Sequence, residues 1–446
     1  MWGRIKEIFC YFSPNVGSRE TDPSSSASWV NTLCFFIFGT LSFFNQELLY
    51  TASEDILSGR KLPTATILVC FVTPLMVTKI FAPWFIQKIP YLVKASFIVL
   101  CMTFGLALIV FVEDIRAKLV GIALNAMATG VSEVVFLALT SFYPQIAISS
   151  FVAGTGTASL ISPLYYTSLT TWGCVSPKTA IMITIPLPVL ILVFYAVLDK
   201  EYIVSAAYTK PTEHEAVEYS MVGSTNPDTE QTPTVPQRQP CGEKLRIGAR
   251  ILPFIIPLFV SFFAEYMSNS SVVTTIAFPK SHIHPRDHFL YYSLSYRIGK
   301  FIGRSYLFVF ACLPPEATDF LKCDRTWILA ALEMLHLVFF LLESWYHFLP
   351  YIWIMISLCS TLGLFAGMIV LHSPHAVARY TTPEEREFAL GLLTVGNAIG
   401  GFLAGLVGLF MEPYLENECI QHFSASREFC FTRMRNTTGW DSNFHC

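Results

Sequence analysis

Stretches of 20 or more mostly apolar residues recur along this chain almost from end to end. Each is long enough to cross a hydrocarbon core of about 30 Å as a helix. That recurrence restricts the chain to an all-α, polytopic membrane protein. Composition agrees: 14% of the residues are charged, where soluble domains carry about 25%. Trp and Tyr fall often near the ends of the runs, where amphipathic rings favour the interface. The net charge of −3 carries no sign of a nucleic-acid partner.

Hydropathy places about eleven spans, at roughly 29–51, 64–87, 91–112, 117–141, 145–171, 177–198, 248–278, 287–311, 326–346, 349–372 and 387–411. Residues 1–28 form an N-terminal segment and 29–198 a six-helix bundle. Residues 199–247 are rich in Pro, Thr, Glu and Gln without apolar periodicity, the marks of a disordered linker. A second bundle covers 248–411, and 412–446 is a polar tail. Two bundles joined by a long linker is the layout of a transporter with its site between the bundles near the midplane.

Lys and Arg set the orientation. With the N-terminus in the cytosol, the cytosolic segments hold about twice as many cations as the opposite side, among them Arg4, Lys6, Lys88, Lys244, Arg246 and Arg250. That is the bias the positive-inside rule requires, and it makes the linker cytosolic. Eleven spans put the tail on the far side; a twelfth would return it. Inside the linker, Tyr219-Ser220-Met221-Val222 has the form read by endosomal sorting adaptors, with Tyr219 and Val222 as anchors. Chance is the competing explanation for so short a pattern.

A carboxylate in the middle of a span costs about 2.5–3.5 kcal/mol on insertion scales, so one that persists faces protein or water. Glu133 is such a residue, in the first of two spans that meet at the Tyr143-Pro144 corner. Glu265 lies deep in the seventh span, and Glu333 in the ninth. Arg297, Lys300 and Arg304 are spaced three, four and seven apart, a basic stripe on one helix face. Facing a bundle interior, that stripe suits an anionic or zwitterionic solute, with Arg304 forking two oxygens of a phosphate or carboxylate. A short loop makes the seventh and eighth spans antiparallel neighbours, so Glu265 and Arg304 can both reach one cavity. Snorkelling to the headgroups is the alternative for Arg304 and for Lys79. Glu133, Glu265, Arg297, Lys300 and Arg304 are therefore the candidate substrate-binding residues. Glu47, Lys79 and Asn269 extend a polar pathway. Asn269 begins a glycosylation sequon, but its place in a span argues against use; the hydroxyls around it are expected to loosen the helix or line a cavity.

Glycines at Gly154, Gly156, Gly396, Gly400, Gly401, Gly405 and Gly408 are read as close helix contacts rather than phosphate loops, since no lysine follows. The loop holding His282, His284, Asp287 and His288 is expected to titrate near the ordinary histidine pKa rather than to bind metal. Cys34, Cys70, Cys101 and Cys359 read as apolar fillers. No CxxC pair, HExxH pattern or nucleophile–base–orienter set is present. Neither an enzyme, a metal nor a cofactor is expected.

The blocks ASEDILSG, TPLMVTKIFAP, GVSEVVFLALTSFYP followed by SSFVAGTG, FIIPLFVSFFAEY, YRIGKFIGRS and EEREFALG together resemble, in order, the battenin family of lysosomal and vacuolar membrane proteins. The resemblance runs from about Phe36 to Met411 and omits the linker and tail. It implies a fold similar to the major facilitator superfamily and a lysosomal home. It also implies a part in glycerophosphodiester clearance, luminal pH and basic amino acid levels. Glu133, Glu265, Lys79 and Arg304 lie in aligned blocks. The chain departs from the family at Leu362 and Asn397, where acidic residues are usual, and at Ser42-Phe43, where paired asparagines are. Glu47 is additional, and the chain ends NFHC without a prenylation box. The expected function is export of a small phosphate-bearing or zwitterionic solute across a lysosomal, vacuolar or late-endosomal membrane. The competing reading is a non-transporting regulator or scaffold of lysosome and late-endosome trafficking that recruits partners through the linker.

Overall fold

A computed structural model describes residues 23–56, 65–203, 240–278, 281–283, 288–312, 323, 325–423, 430 and 440–442. The sorting motif at Tyr219 and Val222, most of the linker, and His284 and Asp287 lie outside them. Among the described residues the chain is helical, with no strand. Besides a single turn at Ser53–Ile56, the α-helices are α1 (Pro23–Thr51), α2 (Ala65–Ile86), α3 (Tyr91–Phe111), α4 (Ile115–Leu139), α5 (Ile146–Thr167), α6 (Pro177–Met182), α7 (Val189–Val197), α8 (Cys241–Met267), α9 (His288–Val309), α10 (Thr326–Tyr346), α11 (Ile352–Tyr380) and α12 (Pro383–Phe423).

Eight described helices are long and apolar enough to cross a membrane. The others fall short for local reasons. In α2 the apolar stretch is Cys70–Ile86, and α9 carries its three cations. The sixth span is broken: α6 ends at Met182 and α7 begins only at Val189. Pro186 and Pro188 lack the N–H that a continuous helix needs there. Taken in order, these helices account for about eleven passes.

Two further differences from expectation concern boundaries. Helix α8 begins at Cys241, inside the stretch assigned to the linker. Helix α12 runs twelve residues beyond Met411. It persists because Leu415 and Cys419 are fully buried and Glu412 accepts a bond of 3.2 Å from Thr274 near the end of α8. The hydroxyl-rich run after Glu265 does loosen its helix, into a π turn over Ser268–Val272.

Without a hydrophobic force between helices in lipid, close packing must come from small residues. Helix α1 lies against α5, and α9 against α11. A Cβ on Gly39 or Gly154 would overlap backbone of the other helix of the first pair; one on Gly299 or Gly363 would overlap the carbonyl of Ser360 or Tyr296 in the second. We expect Gly363→Leu to abolish a monodisperse peak in size-exclusion chromatography. Gly242→Ala, which adds its Cβ to open space, should leave the peak unchanged. Equal profiles for the two would remove the packing argument.

Helices α2 and α3 also pack on α4, and α8 on α10 and α12. Contacts between the earlier and later helices run through α5–α9, α2–α12 and α4–α12. The charged residues converge there. At the Tyr143-Pro144 corner the Tyr143 hydroxyl donates to the Asp199 carbonyl at 2.6 Å. That bond anchors the turn from α4 into α5, which packs against α1 and α9.

Candidate functional site

Among the described residues, the polar interior includes three ion pairs and one arginine without a carboxylate partner. Lys79 Nζ in α2 is 2.5 Å from Glu133 Oε2 in α4. Asn397 in α12 joins both: it accepts from Lys79 at 3.0 Å and donates to Glu133 Oε1 at 2.7 Å. An amide is the side chain suited to this, since its oxygen faces the ammonium while its NH2 faces the carboxylate. In the sequence Asn397 stands out only as a departure from the battenin family. Its role depends on a contact 264 residues away along the chain.

Lys300 Nζ is 2.5 Å from Glu265 Oε1, and the Tyr296 hydroxyl donates to the same oxygen. Tyr296 was not among the residues expected from sequence; its four-residue spacing from Lys300 puts the two on one helix face, which is the signal that marks it. Arg297 Nη1 lies 2.8 Å from Glu47 Oε2 in α1 and donates to the Ser159 carbonyl in α5 at 2.7 Å. The basic stripe thus turns to α1, α5 and α8, away from lipid. Glu333 is fully buried and accepts from Ser261 at 2.8 Å.

Arg304 is different. It is 5% exposed, and its Nη1 donates to Thr155 Oγ1 in α5 at 2.9 Å. Its Nε has no protein partner, and no carboxylate lies within ion-pair distance of it among the described residues. Gly156 makes room for it: a Cβ there would lie 2.9 Å from Arg304 Cβ. The glycine that reads as a packing residue therefore also lets the arginine stem pass.

These groups surround a cavity of about 70 Å³, enough for a few waters. Glu47, Lys79, Glu133, Lys300, Arg304 and Asn397 reach its wall. Of the other residues proposed from sequence, Glu265 sits behind Lys300, Arg297 is held between α1 and α5, and Asn269 lies half-buried in the π turn; none of these three lines the cavity. Glu265 therefore does not share the cavity with Arg304 as expected. Lys300, one turn nearer along the same face, takes the carboxylate instead. Apart from the charges, the wall is largely apolar, with aromatic rings from Phe43, Tyr50, Phe262 and Tyr266 among aliphatic side chains such as Leu75 and Leu258. His288 does not line the cavity: it is buried with its ring nitrogens on the Phe278 amide, at 3.5 Å, and the Ile283 carbonyl, at 3.1 Å.

A many-pass helical protein with a charged, partly aromatic cavity between its earlier and later helices is built like a solute carrier. Solved structures place the fold. A major facilitator superfamily transporter, FucP, in its outward conformation aligns with a TM-score of 0.55 over 92% of this chain and 98% of its own, at 14% identity. The human organic anion transporter MFSD10 aligns with a TM-score of 0.51 over 91% and 96%, also at 14% identity. The fold is that of the major facilitator superfamily.

Sequence relatives narrow the class. The profile of the CLN3 protein family matches residues 33–418, and the chain belongs to that family. Battenin of Canis lupus familiaris is 27% identical over 87% of this chain and 92% of its own length. Protein BTN1 of Yarrowia lipolytica is 31% identical over 86% and 94%. The chain is thus a multi-pass, transporter-like membrane protein of the battenin relatives.

Proposed function

We propose that this protein carries small anionic or zwitterionic solutes bearing a phosphate, of the glycerophosphodiester kind, across the membrane of a lysosome, vacuole or late endosome. The observation that carries this reading is Arg304, a buried guanidinium beside the cavity with, among the described residues, no carboxylate in ion-pair contact and no protein partner for its Nε. A planar fork with idle donors fits two oxygens of a phosphate. Three neighbouring cations are already matched by Glu133, Glu265 and Glu47, so an incoming anion would meet one net positive charge. The organelle, and the contribution to its pH and basic amino acid levels, rest on the resemblance to battenins.

Uptake of a radiolabelled glycerophosphodiester by vesicles reconstituted with the purified protein tests the reading. Saturable uptake that excess unlabelled phosphodiester abolishes is expected. Uptake no greater than in empty vesicles would sink it and leave the trafficking-regulator reading. For delivery, Tyr219→Ala should move the protein toward the cell surface in a biotinylation assay; an unchanged location would return the motif to chance.

A further inference from the structure

The face of α1 toward the cavity carries an amide oxygen that no described residue satisfies. Phe43, Gln46, Glu47 and Tyr50 all reach the cavity wall. Their spacings of three, four and seven put them on one face of the helix. Gln46 is 5% exposed. Its amide is hydrogen-bonded to the Tyr50 hydroxyl, and its Oε1 has no partner among the described residues. A buried carbonyl oxygen is costly to leave without a donor, and at a cavity wall a bound molecule can supply one.

Helix register relates that oxygen to Arg304. Phe36 of α1 stacks on Phe308 of α9, and Glu47 of α1 pairs with Arg297 of α9. The two contacts are eleven residues apart on each helix and are met in opposite order, so α1 and α9 run antiparallel and in step. Arg304 then stands at the level of Thr40, six residues from Gln46, or about 9 Å along the axis. Helix side chains lean toward the N-terminus of their own helix. In this antiparallel pair Gln46 and Arg304 therefore lean toward each other's level, which narrows the gap. The two ends of the cavity differ in chemistry. One offers a guanidinium with an idle N–H. The other offers an acceptor but no net charge, because Glu47 beside Gln46 is already paired with Arg297. What that second end lacks is a neutral donor, and an alcohol hydroxyl is one.

We propose that Gln46 forms a second subsite, for a free hydroxyl on the alcohol part of a phosphate ester whose phosphate sits on Arg304. This rests on the phosphate reading of Arg304 and adds which esters are selected. The hydroxyl donates to Gln46 Oε1, and the carbons of the alcohol lie against the rings of Phe43 and Tyr50. An ester of equal charge without the hydroxyl leaves the oxygen unpaired, and the site discriminates against it.

Competition against uptake of the radiolabelled glycerophosphodiester supplies the test. Methyl glyceryl phosphate and methyl propyl phosphate carry the same single charge and differ in the hydroxyls of the glyceryl group. In the parent protein the glyceryl ester should inhibit at a concentration about five- to tenfold lower, the effect of a neutral hydrogen bond. Equal inhibition would overturn the subsite, and this arm needs no substitution. Gln46→Leu, close to glutamine in volume, should weaken the glyceryl ester alone and bring the two inhibitors within about twofold of each other. An unchanged preference in that variant would overturn the assignment to Gln46. The phosphate reading fails in a different way. Parent protein with no saturable uptake removes Arg304 and Gln46 together, whereas intact uptake without preference removes only the subsite.

Discussion

Arg304→Lys should cut transport of a phosphate-bearing solute by roughly 10- to 100-fold at equal surface expression, the equivalent of about 1.5–3 kcal/mol for a charged hydrogen bond. An ammonium keeps the charge but offers no planar pair of donors. It is also shorter, so it gives up the 2.9 Å bond to Thr155. The loss should appear chiefly as a raised KM, because the arginine is proposed to bind rather than to move. Folding should survive, since the substitution keeps the positive charge and Arg304 forms no ion pair among the described residues. Initial-rate uptake against solute concentration is the measurement, and parental kinetics would end the anion-site assignment.

Lys300→Met should be the most damaging change to stability among the cavity residues. It leaves Glu265, which is 2% exposed, as a buried carboxylate without its cation; breaking such a pair typically costs about 3–5 kcal/mol. Tyr296 would remain as a donor and recover part of that. The double variant Lys300→Met with Glu265→Gln removes both charges and should regain most of the lost thermal stability in detergent. A double variant no more stable than the single one would mean that the pair is not what Lys300 contributes. Glu265→Gln alone leaves Lys300 as a second unneutralised cation beside Arg304. Anion retention should then rise while stability falls.

How much of this can be read from the chain differs by level. Each span announces itself because a membrane helix satisfies its backbone hydrogen bonds internally and needs only about 20 apolar residues. Ionisable candidates announce themselves because a charge inside such a run is costly wherever it goes. That is why Glu133, Glu265, Lys300 and Arg304 stand out by their positions within apolar runs. The division of labour among them does not. Glu47 and Arg297 are 250 residues apart, Lys79 and Asn397 are 318 apart, and no local periodicity links them. Asn397 and Thr155 look like ordinary polar residues until α12 is set against α2 and α4, and α5 against α9. The extension of α12 past the apolar stretch is equally illegible, since it depends on Thr274 and the end of α8.

The sequence by itself determined the all-α membrane class, the approximate number of passes and the residues whose burial would need compensation. Those follow from local length and hydrophobicity against a solvent of fixed thickness. Only the tertiary structure decided which cation meets which carboxylate and which is left over. Helix partners in lipid are chosen by shape at contacts such as Gly299 with Ser360 and Gly363 with Tyr296. A one-turn shift at those crossings would hand Glu265 to a different member of the stripe.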